Sequence, residues 1–216
     1  MRVLAFAGSL RKESWNHKLV VLAGEIARRE GAEVDVARFS EFDMPIYDGD
    51  RDRAEGLPAG ALELKRRVEA AQAILLAAPE YNYSIAGPLK NAIDWVSRAR
   101  PMPWRGRSVF LLAAAPSPMG GIRGLWQTRI PLEGCGALVF PDMFALARAN
   151  EAFDEGGRLR DAALAERLER DVVGFVRMAE AVAPVCEGAR TKDEKARQEE
   201  IAAALEDESR IQPPSR

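Results

Sequence analysis

The chain has 216 residues, 47% of them hydrophobic and 30% charged, and its formal net charge is -2. That length suits one domain with a substantial core and room for an appendage. The near balance of charge gives no electrostatic case for nucleic acid or an anionic membrane, and no apolar run approaches the ~18 residues of a membrane span.

Elements follow in chain order. Arg2 to Ala7, "RVLAFA", is a short apolar run bounded by Gly8 and reads as a buried strand. Ser14 to Arg29 places Leu19, Leu22, Ala23 and Ile26 on one helical face, and Gly31 closes the helix. "AEVDVARF" is a second strand. The stretch "SEFDMPIYDGDRDRAEGLPAG", rich in Pro, Gly and Asp, reads as a long connection of the kind that serves a site.

A helix is expected over Ala61 to Ala71, then a fully apolar strand, Ala73 to Pro79, as in parallel sheets covered on both faces. Gly87 to Arg98 is a helix, and Ser108 to Pro116 is another buried strand. The Gly-rich loop "SPMGGIRG" leads into a helix ending near Glu133. "ALVFP", Ala137 to Pro141, is the last strand, and Leu159 to Val185 is a long helix with a stripe of Leu164, Leu168, Val172, Phe175 and Val176.

Five strands alternating with helices predict an α/β, flavodoxin-like three-layer sandwich around a five-stranded parallel sheet of order 2-1-3-4-5. The domain reading is 1–186 for this fold and 187–216 for a charged C-terminal extension, partly helical. That extension is a solvated appendage or a helix seated on a neighbouring subunit. Cys135 and Cys186 stand far apart without a C-x-x-C and read as buried small hydrophobes, in keeping with a reducing cytoplasm. "VLAFAG" is too short for a signal-peptide apolar region, so the expected location is cytoplasmic.

In such sheets ligands bind at the carboxyl ends of the strands, where three loops carry chemistry. The first is Gly8 to Asn16, with Ser9, Arg11, Ser14 and Asn16 at a helix start, where unpaired N–H groups and a partial positive charge favour anions. It matches neither the nucleotide-triphosphate pattern nor G-x-G-x-x-G. Hydroxyls and one guanidinium suit a single phosphate, hence a mononucleotide; the competing reading of Ser14 is a helix cap. The second loop, in "APEYNYSIAGPLKNAIDW", offers the flat faces of Tyr81 and Tyr83 and the donor–acceptor amide of Asn82. The third, "APSPMGGIRG", holds Ser117 and glycines that admit a planar group near the backbone.

"GSLRKESWNHKL" resembles the G-S-x-R-x-x-S-x-N signature of the NAD(P)H-dependent FMN reductase family. "PEYNYSIAGPLKNAIDWVSR" closely resembles that family's P-E-Y-N-x-S-x-P-G-x-L-K-N-A-I-D-W-x-S-R segment, with the proline of S-x-P-G displaced to Pro88. The resemblance covers Met1 to Val185 and reaches quinone, azo-dye and chromate reductases. It implies Ser9, Arg11, Ser14, Trp15 and Asn16 around the FMN phosphate, and Pro79, Glu80, Tyr81, Asn82 and Tyr83 along the isoalloxazine and ribityl. Ser117 and Gly120 would approach from the fourth-strand loop, while Lys90 and Asp94 serve helix or interface.

The implied activity is an FMN-dependent NAD(P)H oxidoreductase. It passes hydride from NADPH or NADH through flavin N5 to a quinone, azo, chromate or flavin acceptor by a ping-pong mechanism. The alternative is a flavodoxin-type electron carrier that does not itself oxidise NAD(P)H, although the loop and the charge balance depart from that pattern. No side chain is needed as acid or base; His17 reads as a surface residue, and no metal is called for. No arginine cluster for a 2′-phosphate is identifiable. The implied partners are a small-molecule acceptor and further copies of the chain, as a homodimer or homotetramer. Trp104, Arg105, Trp126 and the Asp43 to Pro58 loop are candidate interface or acceptor-pocket elements, with Trp126 equally readable as core.

Overall fold

The computed structural model describes the backbone of residues 1–211 and the side chains of residues 1–188. In chain order the elements are β1 (Arg2–Ala7), α1 (Trp15–Arg29), β2 (Glu33–Ala37), a 3-10 turn (Phe39–Phe42), α2 (Gly49–Glu55) and α3 (Ala59–Ala70). Then follow β3 (Ala73–Ala77), β4 (Glu80–Tyr81), β5 (Ser84–Ile85), α4 (Gly87–Val96), β6 (Ser108–Ala114), α5 (Ile122–Gly134), β7 (Leu138–Leu146), α6 (Ala149–Ala152) and α7 (Ala162–Ile211).

Five of the strands form one parallel sheet in the order β2-β1-β3-β6-β7, while β4 and β5 form a separate antiparallel pair. With that hairpin set aside, the order is the expected 2-1-3-4-5. Strand side chains alternate between faces, and two cores result. Leu4, Phe6, Ile74, Leu76, Val109 and Leu111 pack with residues of α3, α4 and α5. Val3, Ala5, Leu75, Phe110 and Leu112 pack instead with Leu19, Val20 and Ala23 of α1 and Leu168, Val172 and Phe175 of α7. Both faces of the sheet are covered, which is why its strands are apolar without a break.

Three regions depart from the sequence reading. The long connection after β2 is structured: Phe39 and Phe42 are buried against Phe6, and Asp48 caps α2 by accepting from the amides of Asp50 and Arg51. Strand β7 runs past Pro141 to Leu146. The register slips between Val109 and Leu111, a bulge on the edge strand where a proline lacking its N–H is tolerated. Helix α7 starts at Ala162 because the Asp161 carboxylate accepts from the amides of Ala163 and Leu164. It continues through Pro184 to Ile211, so one helix carries the backbone of the charged tail. The expected seat of that tail on a neighbouring subunit falls on side chains outside the described residues.

Trp104 is 1% exposed and belongs to the first core, because the chain folds it inward after α4. It cannot be a surface interface element. Trp126 is 53% exposed on α5 and is not a core residue. Cys135 and Cys186 are free and only half-buried. No helix among the described residues is long and apolar enough to cross a membrane.

Candidate functional site

The carboxyl ends of β1, β3 and β6 put the three loops on one edge. The first begins where Gly8 donates its N–H to the Ala77 carbonyl at 2.9 Å, tying the end of β1 to β3. A side chain at Gly8 would lie 2.9 Å from Leu89 Cβ, so α4 can come this close only to glycine. Ser9 Oγ accepts from the Arg11 amide, and the Arg38 guanidinium donates to the Lys12 carbonyl at 3.3 Å.

Ser14 is buried and caps α1, its hydroxyl accepting from the His17 amide at 3.2 Å. The helix-start amides of Trp15 and Asn16 have no intrahelical acceptor. The Arg11 guanidinium lies exposed over the Trp15 ring, 5.5 Å from its centroid. Asn16 is committed elsewhere: Nδ2 donates to the Ala114 carbonyl and Oδ1 accepts from the Ala114 amide, both at 2.9 Å. It clamps the start of α1 to the end of β6. His17 is half-buried rather than a surface residue; burial, then the Arg38 charge, hold its pKa below the ordinary imidazole value.

The second loop is the β4–β5 hairpin. Its two central residues, Asn82 and Tyr83, both have positive φ, 49° and 67°. Those angles are the signature of the type I′ turn that closes two-residue hairpins. Asn tolerates this region; Tyr does so at a cost of order 1 kcal/mol. The turn holds Tyr81 and Tyr83 out, 52% and 68% exposed.

The hairpin is fixed from below by Glu80. Its carboxylate accepts from the Gly124 amide at 3.0 Å, in the first turn of α5, and pairs with Arg123 at 3.0 Å. The same Arg123 guanidinium lies over the Tyr83 ring, 4.2 Å from the centroid. Pro79 is buried beneath the hairpin.

In the third loop the Ser117 carbonyl accepts from the Gly120 amide at 3.1 Å. Gly120 has φ +62°, and a side chain there would meet the backbone of Ala145, Leu146 and Ala147 within 3 Å. Its smallness serves packing on β7. Alongside these loops, Pro45 in the connection after β2 is fixed to α4: its carbonyl accepts from Asn91 Nδ2 and Trp95 Nε1, both at 2.8 Å. Lys90 and Asp94 form an ion pair along α4, at 2.7 Å.

Between the first two loops lies a cavity of about 520 Å³ lined by Gly8, Ser9, Leu10, Arg11, Tyr81, Ala86, Gly87 and Pro88. This volume is that of a small-molecule site. Of the residues expected at the site, Ser9, Arg11 and Tyr81 line this cavity. Asn82 and Tyr83 form the hairpin tip beside it, and Trp15 lies under Arg11. Ser14, Asn16, Pro79, Glu80 and Gly120 hold the loops in place, and Ser117 is half-buried in its turn. Sequence reading missed Arg123, whose one signal was a lone arginine in a Gly-rich loop. Among the described residues no group of three or more His, Cys, Asp or Glu could hold a metal.

Comparison with known proteins places this edge in context. Residues 1–151 match the family model of the NADPH-dependent FMN reductases. A quinone reductase of Escherichia coli K12 is 32% identical over 81% of this chain and 93% of its own. An NAD(P)H-dependent FMN reductase of Pseudomonas aeruginosa is 34% identical over 80% of this chain and 91% of its own. Among solved structures, the flavoenzyme NAD(P)H:(acceptor) oxidoreductase FerB of Paracoccus denitrificans superposes with a TM-score of 0.71. It is 31% identical, and the match covers 84% of this chain and 98% of that one.

Proposed function

The chain belongs to the NADPH-dependent FMN reductase family, and from that premise we propose how its sheet edge serves the activity. It is an FMN-dependent oxidoreductase that draws on NAD(P)H, with quinones and flavins as the acceptor class. The observation that carries the site assignment is the convergence of Ser9, Arg11 and Tyr81 on one cavity between the loop that leads into α1 and the start of α4.

The donor set suits FMN. A terminal phosphate is met by the Ser9 hydroxyl, the Arg11 guanidinium and the helix-start amides of Trp15 and Asn16, where the helix dipole adds its partial charge. Tyr81, Asn82 and Tyr83 supply flat faces and an amide for a heterocycle. Asn16 and Ser14 act as positioning residues, holding the loop that binds. Glu80 and Arg123 do the same for the hairpin. Bound FMN would take a hydride equivalent from reduced nicotinamide and release it to the acceptor. The chain's own share is to bind, orient and shield; no side chain at the edge is required to move a proton.

One face serving two substrates in turn gives ping-pong kinetics. Exposed Trp126 and Ile130, four residues apart on α5, support a homodimer or homotetramer. We take 1–186 as the FMN-binding domain and 187–216 as its extension, acting in the cytoplasm on a small-molecule acceptor without nucleic acid or membrane.

The test is an anaerobic panel of quinone, azo dye, chromate and free flavin with each nicotinamide. Turnover with at least one quinone is expected, giving parallel double-reciprocal lines. No turnover with any acceptor would overturn the reading.

A further inference from the structure

A second cavity, of about 380 Å³, opens at the far end of the same sheet edge, beyond β7. Pro118, Ala147, Ala152, Leu159 and Leu164 give it an apolar lining, and Arg148 and Arg160 are its two basic residues. The two arginines are twelve positions apart, which is why the sequence alone shows no cluster.

Arg148 is unusual in two independent ways. Its φ is +48°, a left-handed conformation seldom adopted by L side chains. Its backbone is held there by the Ser117 carbonyl, which accepts from the Arg148 amide, and by the Ala149 amide, which donates to the Ala115 carbonyl. Yet its exposed guanidinium makes no hydrogen bond or ion pair among the described residues. A strained backbone at a cavity-lining residue that carries an unpaired cation points to a ligand rather than to stability.

Arg160 donates its Nε to the Phe153 carbonyl at 2.9 Å, leaving its terminal nitrogens available. The two acids of the lining have partners of their own. Asp161 accepts from the first amides of α7, and Glu151 from Asn150 Nδ2.

We infer that this cavity seats the phosphate-bearing adenosine end of the nicotinamide substrate, with Arg148 as the residue that selects NADPH over NADH. The inference rests on the proposed function, because only a reductase has such a substrate to place. The apolar lining suits an adenosine, and a guanidinium fork suits a 2′-phosphate dianion. The turn after β6 is shared by the two places: Pro118 lines this cavity, and Gly120 of the same turn packs on the backbone of Ala145, Leu146 and Ala147.

The experiment uses the FMN-loaded full chain. Calorimetric titration should show adenosine 2′-phosphate binding about tenfold or more tighter than adenosine, as one charge-assisted contact supplies. Arg148→Gln should abolish that preference and raise KM for NADPH about tenfold, with kcat held and a smaller change for NADH; Arg148→Lys should restore part of it. Melting temperature and flavin absorbance of each variant report whether the fold survives. No preference in the unmodified protein, or an unchanged KM for NADPH in folded Arg148→Gln, overturns the inference. If both nucleotides are oxidised without that preference, the inference fails alone. If neither is oxidised, the functional reading fails as well.

Discussion

Asn16 and Ala114 meet twice. The amide of Asn16 donates to the Ala114 carbonyl and accepts from the Ala114 N–H, each at 2.9 Å, across 98 positions of sequence. This buried pair joins the start of the α1 helix to the end of β6, so it fixes where the opening loop stands. Asn16→Ala would leave a buried N–H and a buried carbonyl without partners, at about 1–3 kcal/mol each. A urea midpoint that falls by a corresponding amount, together with weaker FMN binding, is expected. An unchanged midpoint would show that the clamp contributes nothing.

Among the described residues, Arg11 is the one arginine lining the main cavity. Arg11→Ala should weaken FMN by about 1.5–3 kcal/mol, the usual loss for a charge-assisted hydrogen bond. Stability should hardly change, because the side chain is exposed and stacks only on Trp15. Fluorescence titration of apoprotein with FMN measures the first effect, and equal affinity would remove Arg11 from the phosphate site.

Glu80 and Arg123 couple the hairpin to α5. The carboxylate is largely buried, 10% exposed, while the guanidinium is 33% exposed. A double-mutant cycle over Glu80→Gln and Arg123→Gln should give a coupling energy of about 1 kcal/mol. Glu80→Gln keeps an acceptor for the Gly124 amide, so Glu80→Ala should cost more than the Gln variant. Equal costs would show that this cap is idle.

Tyr83 stores strain that glycine would release. Tyr83→Gly removes a positive-φ penalty of about 1 kcal/mol but also the contact with Arg123, worth about 0.5–1 kcal/mol. Stability should therefore move by under about 0.5 kcal/mol while the bound flavin spectrum shifts. A large loss of stability would mean the stack outweighs the strain.

Glu63 governs part of the acid sensitivity. Hydrogen bonds from Arg66 and Arg67 hold its pKa at about 2, below the ordinary 4.5. A depressed carboxylate pKa adds stability that is present above the ordinary value. That stability is lost as pH falls through the window between 4.5 and about 2. Glu63→Gln should flatten the decline in unfolding midpoint across that window, and an identical decline in both proteins would remove Glu63 from it.

The architecture was legible because each buried strand is an unbroken aliphatic run. Alternation of Leu4 and Phe6 with Val3 and Ala5 feeds two cores without needing polar residues. The site was legible as loops but not as roles. Ser14, Asn16 and Glu80 carry the chemistry of ligands, yet they spend it on backbone amides and carbonyls, some of them many residues away in the chain. No local pattern distinguishes a hydroxyl aimed at a phosphate from one that caps a helix. The connection after β2 misled for a related reason. Its Pro, Gly and Asp content reads as loop, while Phe39 and Phe42 fold it onto Phe6. Arg148 and Arg160 escaped notice because a turn of chain, not a motif, brings them together.

The most direct measurement is anaerobic titration of the FMN-loaded protein with NADPH and with NADH, followed by addition of a quinone. The flavin absorbance is expected to bleach with at least one nucleotide and to return when the quinone is added. Flavin that stays oxidised with both nucleotides would contradict an NAD(P)H-oxidising role.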